Sequence, residues 1–288
     1  MTVWVNIQKK AKPAIDYFVF TSLFIACCAL LMVYQTYHLF QLANNYTFLG
    51  FVLAGTMCSY NFHWYLTPPH LNKEASPKTK WNLRNKNLHL LLALLALVSS
   101  GFFFFLLIDH WFWLCASALL TFLYTAPKIQ MQPFIGLRKI AYGKTIFLSL
   151  AWMHITVMLP FFIASITWNR AHIIFSINRF LFIYAICILF DLRDRDRDKK
   201  DGIKSLITFF NEQENMRLFH WVLFLFFGTS ILLLHYFTLP IIFALTIPGL
   251  LLLYYGHYFK RSKSDYVYYF VLDGLMALSL PLLLIFQV

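Results

Sequence analysis

The sequence predicts an all-α membrane bundle of about nine transmembrane helices, and three observations predict it. First, 60% of the 288 residues are hydrophobic and 12% are charged, against about 25% charged in an average soluble domain. Second, apolar runs of roughly 17–22 residues with few or no charges recur along the whole length, each long enough to cross a bilayer. Third, Lys and Arg fall on alternate connecting loops, as the positive-inside rule requires of a chain that crosses the membrane repeatedly.

The runs are, in order, Tyr17–Tyr37, Phe48–Leu66, Leu88–Ile108, Trp111–Ala126, Thr145–Ile166, Ile173–Leu192, Phe219–Tyr236, Leu239–Phe259 and Tyr266–Phe286. The third and fourth are joined by little more than Asp109-His110, and the seventh and eighth by Phe237-Thr238. The fourth is the shortest and ends at Pro127. The N-terminal segment and four loops on the same side hold 22 of the 24 Lys and Arg, leaving only Arg170 and Arg179 elsewhere. That asymmetry places the N-terminus in the cytoplasm and the C-terminus outside. The expectation is one integral, multi-pass membrane domain over residues 1–288, in the inner (plasma) membrane if the source is bacterial. There is no cleavable signal pattern before the first run. The net charge of +12 then records topology and attraction to anionic membrane lipids rather than a nucleic-acid partner. Cys27, Cys28, Cys58, Cys115 and Cys187 all lie in apolar runs without C-x-x-C spacing and read as small buried hydrophobes.

The chemistry concentrates at Asp191-Leu-Arg-Asp194-Arg-Asp196-Arg-Asp198-Lys-Lys-Asp201-Gly202, directly after the sixth run. Five of the chain's twelve acidic residues fall in these eleven positions from 191 to 201. On a helix at about 100° per residue, Asp191, Asp194, Asp198 and Asp201 share an arc of roughly 80°, while Asp196 points away. Carboxylates three and four apart on one face repel. Two readings answer that repulsion. One is a solvated helix laced by the pairs Asp191–Arg195 and Asp196–Lys200. The other is a hard divalent cation held by oxygen ligands. Gly202 stops the helix, and Lys204-Ser205 follows with a cation and a hydroxyl. Metal-bridged carboxylates beside a lysine suit a diphosphate group. The loop from Leu123 through Pro127-Lys128 to Pro133-Phe-Ile-Gly136-Leu-Arg138-Lys139 lies on the same side. Its Lys128, Arg138 and Lys139 are either ordinary positive-inside charges or contacts for an anion there.

The pattern Asp191-x-x-Asp194-x-x-x-Asp198-x-x-x-Gly202-x-x-Ser205-Leu206 resembles the second aspartate-rich motif of the UbiA superfamily of intramembrane prenyltransferases. The stretch Tyr124…Pro127-Lys128…Pro133…Leu137-Arg138-Lys139 is similar to that family's loop between helices four and five. The resemblance implies a nine-helix UbiA-like fold and a prenyl diphosphate bound through Mg²⁺. It also implies transfer of the prenyl group to a lipophilic, typically aromatic acceptor. It assigns Asp191, Asp194 and Asp198 as catalytic metal ligands, with Asp201 as a further ligand, and Lys128, Arg138, Lys139 and Lys204 as diphosphate contacts. The family's first motif, Asn-Asp-x-x-Asp-x-x-x-Asp on helix two, is not kept. Its equivalent reads Ser59-Tyr-Asn61-Phe-His63-Trp-Tyr65-Leu, with no carboxylate. Asn61 and His63 remain as substrate-binding or neutral ligand candidates, or as a satisfied polar pair. Losing those charges weakens affinity for hard cations. The alternative function is therefore a non-catalytic UbiA-like protein that binds lipid or a partner. A transporter fits less well, since transporters favour internal repeats and polar residues at mid-membrane. Asp273, inside the last run, is a functional suspect as an intramembrane acid.

Overall fold

Helices form where the apolar runs predict them. The computed structural model describes residues 12–67, 76–125, 143–200 and 205–286. Among these the regular structure is entirely helical. The first run becomes α1 (Lys12–Phe20) and α2 (Leu23–Leu39), bent by 62° at a break where Ser22 takes a left-handed φ of 67°. The second is α3 (Tyr46–Leu66), followed by a short helix, α4 (Pro77–Arg84). Next come α5 (Lys86–Leu106) and α6 (Trp111–Thr125), with only a single 3₁₀ turn between them. The fifth run is α7 (Lys144–Met153), which passes through a π turn at His154–Met158 into α8 (Leu159–Ile163).

The sixth run and the aspartate ladder form one helix, α9 (Arg170–Lys200). Its 31 residues extend about 46 Å at 1.5 Å per residue, well beyond a bilayer's hydrocarbon core. The short α10 (Leu206–Phe209) precedes α11 (Glu212–Leu233), and each opens on a reciprocal cap, Ser205 with Thr208 and Asn211 with Glu214. After α12 (Leu239–Arg261), the last run begins with a π-helical stretch, Val267–Leu272. It continues as α13 (Asp273–Ala277) and bends by 47° into α14 (Ser279–Ile285).

Five of the described helices are long and apolar enough to span a membrane, and seven if each bent pair counts as one span. The other two predicted spans are α3 and α6. Asn61 and His63 lower the hydropathy of α3 near its end, and α6 has 15 residues, against the roughly 20 that span a core straight.

The helices sort by burial. Within the bundle α9 is central, with 72% of its apolar window buried, whereas α5 is peripheral at 17%. The outer face of α5 presents Leu94, Leu95, Val98, Phe102 and Phe105 to lipid. Between helices the lipid tails give no hydrophobic drive, so close packing and interhelical hydrogen bonds hold the bundle. Both occur where α11 meets its neighbours. Gly249 and Gly256, seven apart on α12, receive the rings of Phe226 and Phe219, seven apart on α11. On the other side of α11, the Asn178 amide of α9 donates to the Phe226 carbonyl (3.1 Å), Thr229 (3.0 Å) and Ser230 (2.8 Å).

A methyl group at Gly249 would overlap the Phe226 ring, which is 1% exposed and has no room to turn. Gly249→Ala should therefore lose about 1–3 kcal/mol of stability in a detergent melt. Gly228 on α11 has nothing within 4 Å of such a methyl, and Gly228→Ala should be neutral or stabilising by up to about 1 kcal/mol.

Candidate functional site

Among the described residues, Asp191, Asp194 and Asp198 share the inward face of α9 and Asp196 turns away from it. Asp191 and Asp198 are buried (8% and 4% exposed), Asp194 is half-buried and Asp196 is exposed. Asp191 and Asp194 are each engaged by a neighbouring side chain. The Thr145 hydroxyl on α7 donates to Asp191 Oδ2. Arg193 Nε lies 3.3 Å from Asp194 Oδ1. Arg195, which the salt-laced reading would pair with Asp191, turns to the α10 segment instead. Its Nε donates to the Ile207 carbonyl (3.1 Å) and its Nη2 to the Phe210 carbonyl (2.7 Å). Asp201, Lys204, Lys128, Arg138 and Lys139 lie outside the described residues, as does the side chain of Lys200.

On α3 the two candidates separate. Asn61 is fully buried, and its amide donates to the Thr21 carbonyl (3.0 Å) and the Met57 carbonyl (2.8 Å). Thr21 sits at the α1–α2 break, so Asn61 braces that bend. Its Oδ1 is 2.7 Å from His89 Nδ1, and His89 Nε2 is 3.1 Å from the Asn82 side-chain oxygen. Every polar atom of Asn61 is thereby engaged within the bundle. His63 instead lies parallel to the Tyr124 ring, 5.1 Å between centroids and 12° between planes, at the wall of a cavity.

That cavity has a volume of about 400 Å³ and lies between α3, α5, α6 and α7. Its wall is mainly apolar, with Tyr60, Trp152 and Tyr124 as rings and Thr56, Ser100 and Thr121 as scattered hydroxyls. Trp152 Nε1 donates to the Tyr60 hydroxyl (3.2 Å). Thr145, Leu148 and Trp152 of α7 are spaced three and four apart and therefore share one helix face. Thr145 holds Asp191, while Leu148 and Trp152 line the cavity. The cavity thus begins about 5–10 Å along α7 from the ladder.

A second polar cluster sits at the ladder end, and sequence reasoning found only one of its members, Asp273. Lys78 of α4 is 4% exposed, with its ammonium over the rings of Tyr269 (3.4 Å to the centroid), Trp64 (4.3 Å) and Phe20 (5.8 Å). The Lys78 backbone N–H donates to Asp265 Oδ2 (2.7 Å). Arg193 of α9 stands on the other side, 4.3 Å from the Tyr268 ring and 4.8 Å from that of Tyr269. It donates to the Tyr269 hydroxyl, and its Nη1 is 3.9 Å from Asp265 Oδ1. The π-helical stretch Val267–Leu272 carries both tyrosines, and Asp273 acts electrostatically on Lys78. The signal available in the sequence was Asp273 itself, because an acid inside an apolar run demands a cation. Nothing local marked Lys78 as that cation among the loop lysines.

Magnesium is the ion the UbiA family typically uses. Among the described residues no three His, Cys, Asp or Glu side chains come together as a metal-ligand set. Asp191 is engaged by Thr145 and Asp194 by Arg193. The described donors therefore do not by themselves fit a magnesium ion.

With fold, ladder and cavity in view, comparison with known families is direct. Residues 70–267 match the UbiA prenyltransferase family, and the chain belongs to it. The family is polytopic in the membrane, in agreement with the helices described above. The match begins after α3, so Asn61 and His63 lie outside it, as does Asp273. No curated protein matches the chain.

Burial pushes the Lys78 ammonium down to about 7; Asp273 opposes the shift, Arg193 adds to it and Asp265 opposes it. The unfolded chain, with an ordinary lysine near 10.4, holds the extra proton between those values. Stability should therefore rise with pH from about 7 to about 10, by at most about 1.4 kcal/mol per pH unit. Detergent melts of wild type and Lys78→Met across that window check it, and the variant should lose this slope.

Proposed function

We propose that this protein is a membrane prenyltransferase that takes a polyprenyl diphosphate and transfers its prenyl group to a lipophilic, aromatic acceptor. The observation carrying this reading is the single face of α7, which joins the carboxylate ladder at Thr145 to an apolar cavity at Leu148 and Trp152. A substrate with a charged head and a long hydrocarbon tail matches that succession. The tail enters the cavity, where Tyr60, Trp152 and Tyr124 offer π-faces that favour a nearby allylic cation. The diphosphate lies toward the ladder, with Lys128, Arg138, Lys139 and Lys204 as its cations. In the reaction the C1–O bond breaks and its electron pair leaves on the diphosphate. C1 then bonds to an acceptor carbon, which gives up a proton.

Mg²⁺, if bound, would supply charge neutralisation of the diphosphate oxygens. Asp194 and Asp198 would need Asp201 or substrate oxygens to complete its shell. The chain's own contribution is separable from the metal. Thr145 fixes the Asp191 rotamer, Arg193 orients Asp194, and the apolar wall keeps water from the reacting carbon.

A second reading is favoured by one specific observation. The end of α3 has no carboxylate, and Asn61 there is fully used in bracing the bundle. A protein that keeps the fold and the tail cavity without chemistry would serve as a lipid-binding or partner protein.

The purified protein, incubated with Mg²⁺, farnesyl or geranylgeranyl diphosphate and a pool of aromatic acceptors, should release diphosphate. Asp194→Asn combined with Asp198→Asn should lower the rate by at least about 100-fold. Gly55 borders the cavity with only Ser100 Oγ within 4 Å of an added methyl, at 3.8 Å. Gly55→Leu should raise the half-saturating substrate concentration about tenfold or more. Release undiminished in the double aspartate variant would sink the ladder as the reacting site. Tight tail binding without release at any chain length would establish the second reading.

A further inference from the structure

The cavity beside α7 is open to the membrane on one side. Among the described residues α5 packs on α3 and α6 packs on α7, but α5 and α6 make little contact beyond the 3₁₀ turn that joins them. Packed helices lie about 8–10 Å apart, so this pair diverges from its shared turn and leaves a gap. Leu97 of α5 and Phe122 of α6 mark it, since both line the cavity and both are exposed, at 57% and 41%. They stand about 14 and 17 Å from the helix ends that meet at the turn, well within a hydrocarbon core of about 30 Å. Elsewhere the bundle is tighter: α2 packs on α3 and on both parts of the last span, α13 and α14. A route from the bilayer into the cavity thus runs between α5 and α6.

The wall at that depth is more than hydrocarbon. A helical serine or threonine hydroxyl can bond to the carbonyl four residues back, as Ser99, Ser117 and Thr121 do here (3.0, 3.2 and 2.8 Å). Among the described residues Thr56, Ser59 and Ser100 make no such bond, and all three line the cavity. Ser100 Oγ would lie 3.8 Å from a Cβ at Gly55, one residue before Thr56 and about one turn before Ser59. The three hydroxyls therefore gather on facing surfaces of α3 and α5. The Tyr60 hydroxyl accepts from Trp152 (3.2 Å) and keeps its own proton to give. A hydrocarbon tail leaves all four groups idle. Among the described residues of the wall there is no Lys, Arg, Asp or Glu, and a charge brought there would lose its hydration unanswered. A ligand matched to this wall carries oxygen, bears no charge and dissolves in the bilayer.

We propose that the acceptor is an uncharged, lipid-dissolved phenol that enters sideways between α5 and α6 and is held through its oxygen by Thr56, Ser59 and Ser100. The proposal rests on the transfer reading above, whose acceptor it defines. It gives the two substrates separate routes: the diphosphate comes to the ladder, and the phenol comes through the lipid.

The test uses the full chain in lipid nanodiscs, with β-naphthol as the uncharged probe and β-hydroxynaphthoate, the same ring with a carboxylate, as the charged one. Binding is read from probe emission above that of protein-free nanodiscs, and transfer from prenylated product formed with farnesyl diphosphate and Mg²⁺. β-Naphthol should bind at least about tenfold more tightly than the naphthoate. Leu97→Trp, which fills the gap, should weaken β-naphthol binding about fivefold or more. Ser59→Ala combined with Ser100→Ala should weaken it by a similar factor. Val98→Trp, at a neighbouring position that is 73% exposed and does not line the cavity, should bind like wild type. Product from the naphthoate at an equal or greater rate would overturn the proposal and leave the transfer reading in place. Product from β-naphthol with undiminished binding in Leu97→Trp and in the double serine variant would do the same. β-Naphthol binding that both variants weaken, without product, would keep the site and its route and overturn the transfer reading. Binding of neither probe would overturn the proposal.

Discussion

A charge buried among hydrocarbon side chains has to be answered within reach, and that requirement orders the ladder end of this bundle. Lys78, Arg193, Asp265 and Asp273 come from α4, α9, the helical start of the last span and that span's interior. None of these elements could keep its charge buried alone. Tyr269 lies between the two cations and accepts from Arg193, so one aromatic side chain serves both. At 3.9 Å the attraction between Arg193 and Asp265 is about 4 kcal/mol at an effective dielectric constant of 20. Desolvation of both groups offsets much of it. The cluster's effect is therefore better described as selecting which helices meet than as adding stability. Asp265 does this twice, since its other oxygen receives the Lys78 N–H at the start of α4.

The same constraint explains what the sequence showed and what it hid. Run length and loop charge are local properties, so each predicted span fell on helical residues. The ladder's face followed from helical rotation alone, and Asp196 is exposed as that rotation requires. Asn61 is different. Its role depends on the Thr21 carbonyl forty residues earlier, at a break that no proline or glycine announces. Lys78 is different for a similar reason. In the sequence it is one of five basic residues in a loop, and only the fold shows that it has been drawn beneath Trp64 and Tyr269. Pairings across such separations carry no periodic signal. The positions of Lys128, Arg138, Lys139, Asp201 and Lys204 fall outside the described residues.

The family match and the local chemistry bear on different halves of the molecule. Residues 70–267 include the ladder, the α7 face and most of the cavity wall. The α3 end lies outside, and it carries no carboxylate: Asn61 hydrogen-bonds with His89, and the His63 ring stacks on Tyr124. The nearby cations, Lys78 and Arg193, already have aromatic and acidic neighbours from within the chain.

This division bears on how a diphosphate could be held. Two carboxylate clusters facing each other repel until cations fill the space between them, which makes such a site dependent on metal. In this chain the end of α3 carries no carboxylate, and with the ladder as a single acidic cluster the demand for metal charge would be lower. Two of the ladder's carboxylates are individually braced, Asp191 by Thr145 and Asp194 by Arg193. A diphosphate arriving there would meet acids whose charge is partly answered, and would rely on basic side chains for attraction. Recognition of a prenyl tail would be unaffected, because the cavity is built mainly from apolar walls and scattered hydroxyls. Under the proposed function, binding and ionisation of the substrate would be physically separable: the first would rest on the α3–α5–α6–α7 cavity, the second on how much positive charge gathers at the ladder.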